Sequence, residues 1–200
     1  VSSKLVWKKL VGMQMLIEGL AMGAFATFYQ FGRDPLMVKL CQLVMTDEAF
    51  HHKFGKIWAD RTIPNLSKSE HEMIEDWAWE VFMVLLFNLG SPNQKEWIYR
   101  EVGLDPVWCQ GAFMEAMTDV NIREEMKQTS NIFRVLIKTL LKAGIITDRT
   151  RNNYAAYIDM AELHNEGDKM IGDEIAEEGI KYLIQLNGGK MIMPTSLAAE

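Results

Sequence analysis

The chain has 200 residues, and its 21 Lys and Arg residues against 27 Asp and Glu residues give a formal net charge of -6 at pH 7. Hydrophobic residues make up 48% of the chain, which is enough to bury one sizeable core, and the length favours a single domain. The acidic balance, together with the lack of a concentrated basic run in the sequence, excludes nucleic acid as the main partner.

The first third of the sequence has the pattern of a helical hairpin. Apolar residues recur at three and four positions over residues 3–29, which predicts a first helix closed by Gly32. Asp34 followed by Pro35 is typical of an N-cap with proline in the first helical position, so we expect a second helix that begins there and ends before Pro64. Because the connection is short, the two helices should be antiparallel neighbours.

Similar signals continue along the rest of the chain. Ser67 and Glu70 have capping-box spacing, which predicts a third helix that reaches about Asn88. Further helices are predicted from Ser91-Pro92, and over residues 105–127, 131–142 and 147–186. The sequence contains no convincing run of strand-type alternation. It therefore predicts an all-α fold, with one helical domain over residues 1–187 and a C-terminal tail over residues 188–200.

Cysteine usage and hydropathy indicate where the protein resides. Cys41 and Cys109 each lie in an apolar stretch, which is typical of reduced thiols in a core and predicts a cytoplasmic protein. The longest uninterrupted apolar stretches, such as residues 82–87, are far shorter than the ~20 residues of a membrane-spanning helix. With no signal-peptide pattern in the sequence, we expect no membrane span.

A Glu-x-x-His pattern in the second predicted helix is the strongest chemical signal in the sequence. Glu48 and His51 are three positions apart and therefore lie on one helical face, where both can reach the same metal ion. The other positions of that face are mostly apolar, and a buried carboxylate without a partner is costly, so a metal ion is one common compensation. His52 faces away from Glu48, and we expect it to be a surface or helix-packing residue.

The first predicted helix carries a lone acid, Glu18, in an otherwise apolar stretch, with Met22, Phe25 and Tyr29 on the same face. Glu18 lies 14 residues before the glycine of the predicted turn, and Glu48 lies 16 residues after it. Residues at similar distances from a hairpin turn lie side by side. The sequence therefore predicts one cluster of Glu18 with the Glu-x-x-His pair.

A lone Glu followed about thirty residues later by Asp-Glu-x-x-His resembles the ligand pattern of the ferritin-like diiron-carboxylate superfamily. Within it, residues 48–58, EAFHHKFGKIW, are most similar to the second ligand helix of the aldehyde-deformylating oxygenases, and the resemblance covers residues 4–64. The resemblance implies a ferritin-like antiparallel bundle with extra C-terminal helices and a site for two iron ions, or manganese. It also implies that Glu18 is a terminal or bridging ligand, Glu48 the bridging ligand and His51 the nitrogen ligand. Asp47 would accept a hydrogen bond from a metal-bound histidine and so orient it.

A complete site in this superfamily needs two such halves, and the 200 residues contain no second Glu-x-x-His. Three sources of the missing half stay open. A helix pair upstream of Val1 could supply it, as could a partner chain. The third source is a degenerate ligand set in the later helices, with Glu80, Glu162 and His164 as the best candidates.

The leading functional hypothesis is a dimetal oxidase or oxygenase that activates O₂ and oxidises a small apolar substrate lying along Met22, Phe25 and Tyr29. Mixed oxygen and nitrogen ligation favours iron or manganese over calcium or a structural zinc ion. An electron donor protein and a homo-oligomeric state are compatible with this hypothesis. The alternative is a non-catalytic ferritin-like protein, which either handles iron or serves as a scaffold with an incomplete site.

Overall fold

The computed structural model describes residues 5–90, 95–116, 118–128 and 131–189. All regular elements in these ranges are helices, which confirms the all-α prediction. In chain order they are α1 (Val6–Lys9), a π-helical segment (Leu10–Ile17), α2 (Glu18–Phe31), α3 (Pro35–Thr62), a 3-10 turn (Ile63–Asn65), α4 (Lys68–Gly90), α5 (Glu96–Glu101), α6 (Pro106–Ala116), α7 (Asp119–Glu125), α8 (Ile132–Lys142), α9 (Arg151–Ala155), α10 (Met160–Asn165) and α11 (Ile171–Leu186).

The predicted helical hairpin is confirmed where the structure describes it. Val6 to Phe31 form one continuous helical rod, in which the π-helical segment separates α1 from α2; the predicted start at Ser3 lies outside the described residues. The rod ends at Gly32, whose backbone N–H donates to the carbonyl of Phe28. Asp34 then caps α3, because its Oδ1 accepts the backbone N–H of Met37 at 2.8 Å.

The predicted capping box at the start of α4 is also confirmed. The backbone N–H of Ser67 donates to Oε2 of Glu70 at 2.9 Å, and the backbone N–H of Glu70 donates to Oγ of Ser67 at 3.4 Å. The predicted cap at Ser91-Pro92 lies outside the described residues, and α5 begins just beyond it. At the next predicted cap, Oδ1 of Asp105 accepts the backbone N–H of Val107 at 3.0 Å.

Two of the predicted helices were too long. The helix predicted over residues 105–127 is divided into α6 and α7, because Thr118 has an extended backbone and its Oγ1 accepts the N–H of Asn121. The helix predicted over residues 147–186 is divided into α9, α10 and α11. Asp159 caps α10 by accepting the N–H groups of Ala161 and Glu162. Side-chain bonds of this kind give the backbone an alternative to continuing the helix, and they prevail here.

The long hairpin forms the centre of the packing. Helix α3 packs against α2 on one side and against α11 on the other, and α2 also packs against α8. Gly23 permits the close approach of α2 and α8, because a Cβ atom at this position would lie 2.8 Å from Cα of Ile132. The main core is formed by buried side chains of the rod, α4, α8 and the α9–α10 region, among them Val11, Leu16, Phe82, Leu136, Leu140 and Tyr154.

One helix in the described part of the chain, Val6–Phe31, is long and apolar enough to cross a membrane by length and composition, with a mean hydropathy of 1.4. Of its most apolar window 39% is buried inside the structure, and a core helix of a soluble protein passes the same test. The expected lack of a membrane span therefore stays a prediction. Cys41 is buried and Cys109 half-buried, and both are free thiols.

Candidate metal centre

Three of the predicted site residues converge between the rod and α3. Glu18 is the first residue after the π-helical segment, and Glu48 and His51 lie one turn apart on α3. Nδ1 of His51 is 3.3 Å from Oε2 of Glu48 and 4.0 Å from Oε2 of Glu18. One potential ligand atom from each residue lies within 4.8 Å of the other two. The structure thus brings together the two carboxylates and the imidazole that the sequence pattern singled out.

These distances suit a shared cation. Ligands bound at about 2.0–2.2 Å from one divalent ion are separated by roughly 3–4 Å, which the two distances from Nδ1 of His51 match. Among the described residues, no other group of three His, Cys, Asp or Glu side chains meets the same distance criterion. Two hard carboxylates and one borderline imidazole are a donor set that suits iron or manganese. The donor chemistry therefore fits the ion that the resemblance implied.

The pKa of Glu18 reflects its burial and its proximity to a second acid. Burial, a hydrogen bond with Glu48 and the negative charge of Glu48 together raise the pKa of Glu18 from 4.5 to about 7, although His51 opposes the rise. The raised pKa favours a protonated Glu18 carboxyl group in the metal-free cluster. A cation that displaced this proton would remove the repulsion between the two acids.

The cluster is closed on the side of the core and open on the other. The side chains of Glu18 and Glu48 are 15% and 21% exposed, whereas that of His51 is 51% exposed. Exposed apolar side chains follow in the same stretch of α3, notably Phe50 and Phe54. His51 thus forms the more open side of the cluster, and Phe54 lies about one turn beyond it.

Gly55 and the π-helical segment lie where the two carboxylate helices meet, and the sequence pattern predicted no role for either. A Cβ atom on Gly55 would lie 2.8 Å from the backbone carbonyl oxygen of Gln14, so only glycine permits this approach of α3 to the rod. Gly55 is about one turn beyond His51, and Gln14 is about one turn before Glu18. A glycine on the same apolar face as a suspected ligand could have indicated a close helix contact. No residue pattern in the sequence predicts the π-helical segment. Such segments are frequent at functional sites.

The other candidates of the sequence analysis do not join the cluster. Glu80 and His164 are exposed, and Glu162, whose side chain is 59% exposed, pairs with Arg134 at 3.4 Å. Asp47 is exposed beside Glu48 and has no hydrogen-bond or ion-pair partner in the described ranges. The hypothesis that later helices supply the second ligand set is therefore not supported.

Two further assignments concern helix packing. His52 is buried, with a relative exposure of 7%, which agrees with the packing alternative for this residue. The face predicted to line a substrate site is packed against α11. Met22 is buried and would meet a Cβ atom on Gly172, whereas Phe25 and Tyr29 pack on a small apolar cluster that includes Ile175.

Comparison with protein-family models, with curated proteins and with solved structures finds no match for this chain. The geometry of the chain's own residues therefore carries the functional argument.

Proposed function

We propose that this chain carries one half of a carboxylate-bridged dimetal centre in a ferritin-like helical bundle, and that the complete centre is an oxidase or oxygenase. One observation carries the proposal. Glu18, Glu48 and His51 come from two helices to one point, and burial together with the neighbouring Glu48 raises the pKa of Glu18 to about 7. A structural cluster would be expected to include a compensating Lys or Arg.

The chain's own residues would divide the work. Glu18 and Glu48 would bind the cation through oxygen, and His51 would bind through nitrogen. Glu18 would release its proton as the ion enters, so that metal binding becomes pH-dependent. When bound, two iron or manganese ions supply the redox chemistry that activates O₂ for the oxidation of a small apolar substrate. The exposed Phe54, about one turn beyond His51, would help to exclude water once the open side is covered.

The remaining ligands would come from outside the described residues, either from a preceding helix pair or from a partner chain. In ferritin-like dimetal proteins each of two helices provides a Glu and each of two others a Glu-x-x-His. The cluster supplies half of this set, and its open side leaves room for the rest. We place Asp47 as the acceptor for a metal-bound histidine of the second half, since its carboxylate is exposed and has no partner among the described residues.

A second candidate function is a non-catalytic ferritin-like protein that handles iron or serves as a scaffold. The half set of ligands, with His51 half exposed, favours this alternative. Redox activity separates the two functions. O₂-dependent oxidation of a reductant or an added electron donor protein by the iron-loaded protein supports the enzyme, whereas iron binding without turnover supports the alternative.

The metal assignment is tested by metal analysis after anaerobic loading with Fe²⁺ or Mn²⁺ and removal of free ions. His51→Ala should lose most of the bound metal and keep its helical circular dichroism, because the exposed imidazole contributes more to the ion than to the core. His164→Ala is the matched control, since this exposed histidine lies outside the cluster. Equal metal content in the wild type and both variants would refute the assignment.

A further inference from the structure

A cavity of about 450 Å³ lies between α3, α8 and α11. Its volume is in the range of small-molecule sites. None of the three proposed metal ligands is among the described residues that line it, so it is a separate feature of the structure. A large part of the wall is apolar and includes Met15, Ala49, Phe50, Met170, Ala176 and Ile180.

Two buried polar side chains on this cavity lack hydrogen-bond partners. His52 and Thr139 are 7% and 3% exposed, and both line the cavity. Nδ1 of His52 and Oγ1 of Thr139 are buried atoms without a partner in the part of the chain that the structure describes. Buried polar groups are nearly always hydrogen-bonded, so these two side chains have hydrogen-bonding capacity that the described residues do not use.

The acidic groups around the cavity are already satisfied. Asp168 pairs with Lys142 at 3.4 Å, and Glu177 pairs with Lys169 at 3.1 Å. Asp173 accepts the backbone N–H at the start of α11 at 2.9 Å. These carboxylates therefore offer a cationic ligand little uncompensated negative charge.

The lysines of α3 are different. Lys53 has no hydrogen-bond or ion-pair partner among the described residues, and Lys56 pairs only with Asp60, which is not part of the cavity wall. The two ammonium groups, a ring N–H of His52 and the Thr139 hydroxyl can all act as donors.

We propose that this cavity binds a small apolar organic anion, with a carboxylate as its charged group. A carboxylate accepts hydrogen bonds only, which matches a site whose uncommitted polar groups can all donate. Lys53 and Lys56 would hold its charge, His52 and Thr139 would complete its hydrogen bonds, and a compact hydrocarbon body would pack against the apolar wall. A phosphate monoester shares this chemistry, so the test includes one.

The test is an NMR titration of the full chain, kept free of metal with EDTA, against three ligands with the same aromatic body. They are 3-phenylpropionate, its neutral amide 3-phenylpropionamide, and 2-phenylethyl phosphate. We expect the acid to bind at least about 5-fold more tightly than the amide, and more tightly than the phosphate. We also expect the ring resonances of His52 to shift in a saturable way as the acid is added.

Two variants separate binding from folding. The double variant Lys53→Met and Lys56→Met should lower the affinity for the acid by about 5–10-fold and leave the affinity for the amide unchanged. The control is Lys181→Met, a lysine of α11 that does not line the cavity, which should change neither affinity. Thr139→Val should keep or raise the thermal midpoint of unfolding, because it removes a buried hydroxyl without a partner. It should still lower the affinity for the acid.

Several results would overturn the proposal. Equal affinity for acid and amide, or an unshifted His52 ring, would show that the polar groups do not meet a carboxylate. Tighter binding of the phosphate ester would overturn the choice of carboxylate. A complete lack of binding up to the solubility limit would mean that the cavity holds only water.

Discussion

Glu75 and Glu18 are both largely buried glutamates on helices, with side chains 2% and 15% exposed, yet their surroundings are opposite. Oε2 of Glu75 accepts from Nε of Arg149 at 2.6 Å, and Oε1 accepts from the backbone N–H of Thr147 at 3.1 Å and from the hydroxyl of Thr150 at 3.2 Å. Both oxygens of Glu75 are thus bonded to donors supplied by the loop before α9.

Glu18 has a second carboxylate, Glu48, in place of an arginine, and Nδ1 of His51 lies 4.0 Å from its Oε2. The pKa values follow these surroundings. At Glu75 burial acts to raise the pKa, but hydrogen bonds from Thr147 and Arg149 outweigh it and lower the value. At Glu18 burial and the neighbouring acid both act upwards, to about 7. The first site has its charge partner in Arg149, whereas the second brings two acids together.

The difference explains why we propose a function for only one of the two acidic sites. A buried carboxylate whose bonds are all made stabilises the fold and has no capacity for a ligand. A carboxylate pair held together by the fold without a counter-charge is destabilising, and such sites are often functional.

The largest expected effect is at Glu75. Replacing Arg149 by Met removes the charge partner of Glu75, and we expect the free energy of unfolding to fall by about 3 kcal/mol, at the low end for a broken buried ion pair. The low end applies because the Arg149 side chain is itself 39% exposed. Urea unfolding monitored by circular dichroism measures the loss. The control is Arg151→Met, whose exposed pair with Asp148 should contribute less than about 1 kcal/mol. Equal losses in both variants would contradict the contrast.

The pH dependence of stability should have opposite signs at the two sites. Because the folded pKa of Glu18 is raised, its contribution to stability is full below about 4.5 and is lost as the pH rises through about 7. In EDTA, the stability of Glu18→Gln should therefore rise relative to that of the wild type over this range, by up to about 3 kcal/mol at pH 8. Because the pKa of Glu75 is lowered, Glu75→Gln should be less stable than the wild type above 4.5, and this deficit should shrink as the pH falls below that value.

The measurement is the unfolding free energy of each variant from pH 4 to pH 8, with Glu80→Gln as an exposed control that should follow the wild type. A Glu18→Gln variant that is no more stable than the wild type at pH 8 would show that Glu18 is not strained. Parallel profiles for Glu18→Gln and Glu75→Gln would remove the distinction between the two sites.

Helix spacing at the Glu18 cluster depends on Gly55. In Gly55→Ala the new Cβ would lie 2.8 Å from the carbonyl oxygen of Gln14, so α3 and the rod must separate. We expect a loss of about 1–2 kcal/mol in unfolding free energy and weaker Fe²⁺ or Mn²⁺ binding. The control is Gly111→Ala in α6, where a Cβ meets nothing within 4 Å. It should gain about 0.5–1 kcal/mol, since alanine favours a helix. Unchanged metal affinity in Gly55→Ala would show that the close approach does not position the ligands.

The smallest effect is expected at Asp47. If Asp47 orients a histidine of the second ligand half, Asp47→Asn should weaken metal affinity by about 10-fold, the low end for outer acceptors, in protein that contains the complete site. Its circular dichroism should not change, because the side chain is exposed. The comparison is with Lys53→Gln, another exposed position of α3. Equal metal affinity in both variants and the wild type would reduce Asp47 to a surface charge.

Local sequence signals were sufficient for the helices whose ends are set by nearby residues. Asp34 with Pro35, Ser67 with Glu70, and Asn131 each cap a helix at the predicted place, because a cap bonds backbone groups two or three residues away. Apolar periodicity, in contrast, predicted helices that continue through the breaks before α7 and α10. Apolar spacing can remain in phase across a short interruption, so Thr118 and Asp159 were read as helix interior.

The sequence by itself determined the all-α class, the antiparallel hairpin and the candidate ligands, since these depend on helical periodicity and on distances counted from one short turn. Only the tertiary structure decided which buried carboxylates have a charge partner and hydrogen-bond donors. Arg149 reaches Glu75 across 74 positions of sequence, and no local pattern encodes such a contact. The same is true of Gly55 against Gln14 and of the cavity beside His52, because both arise where helices distant in sequence pack together.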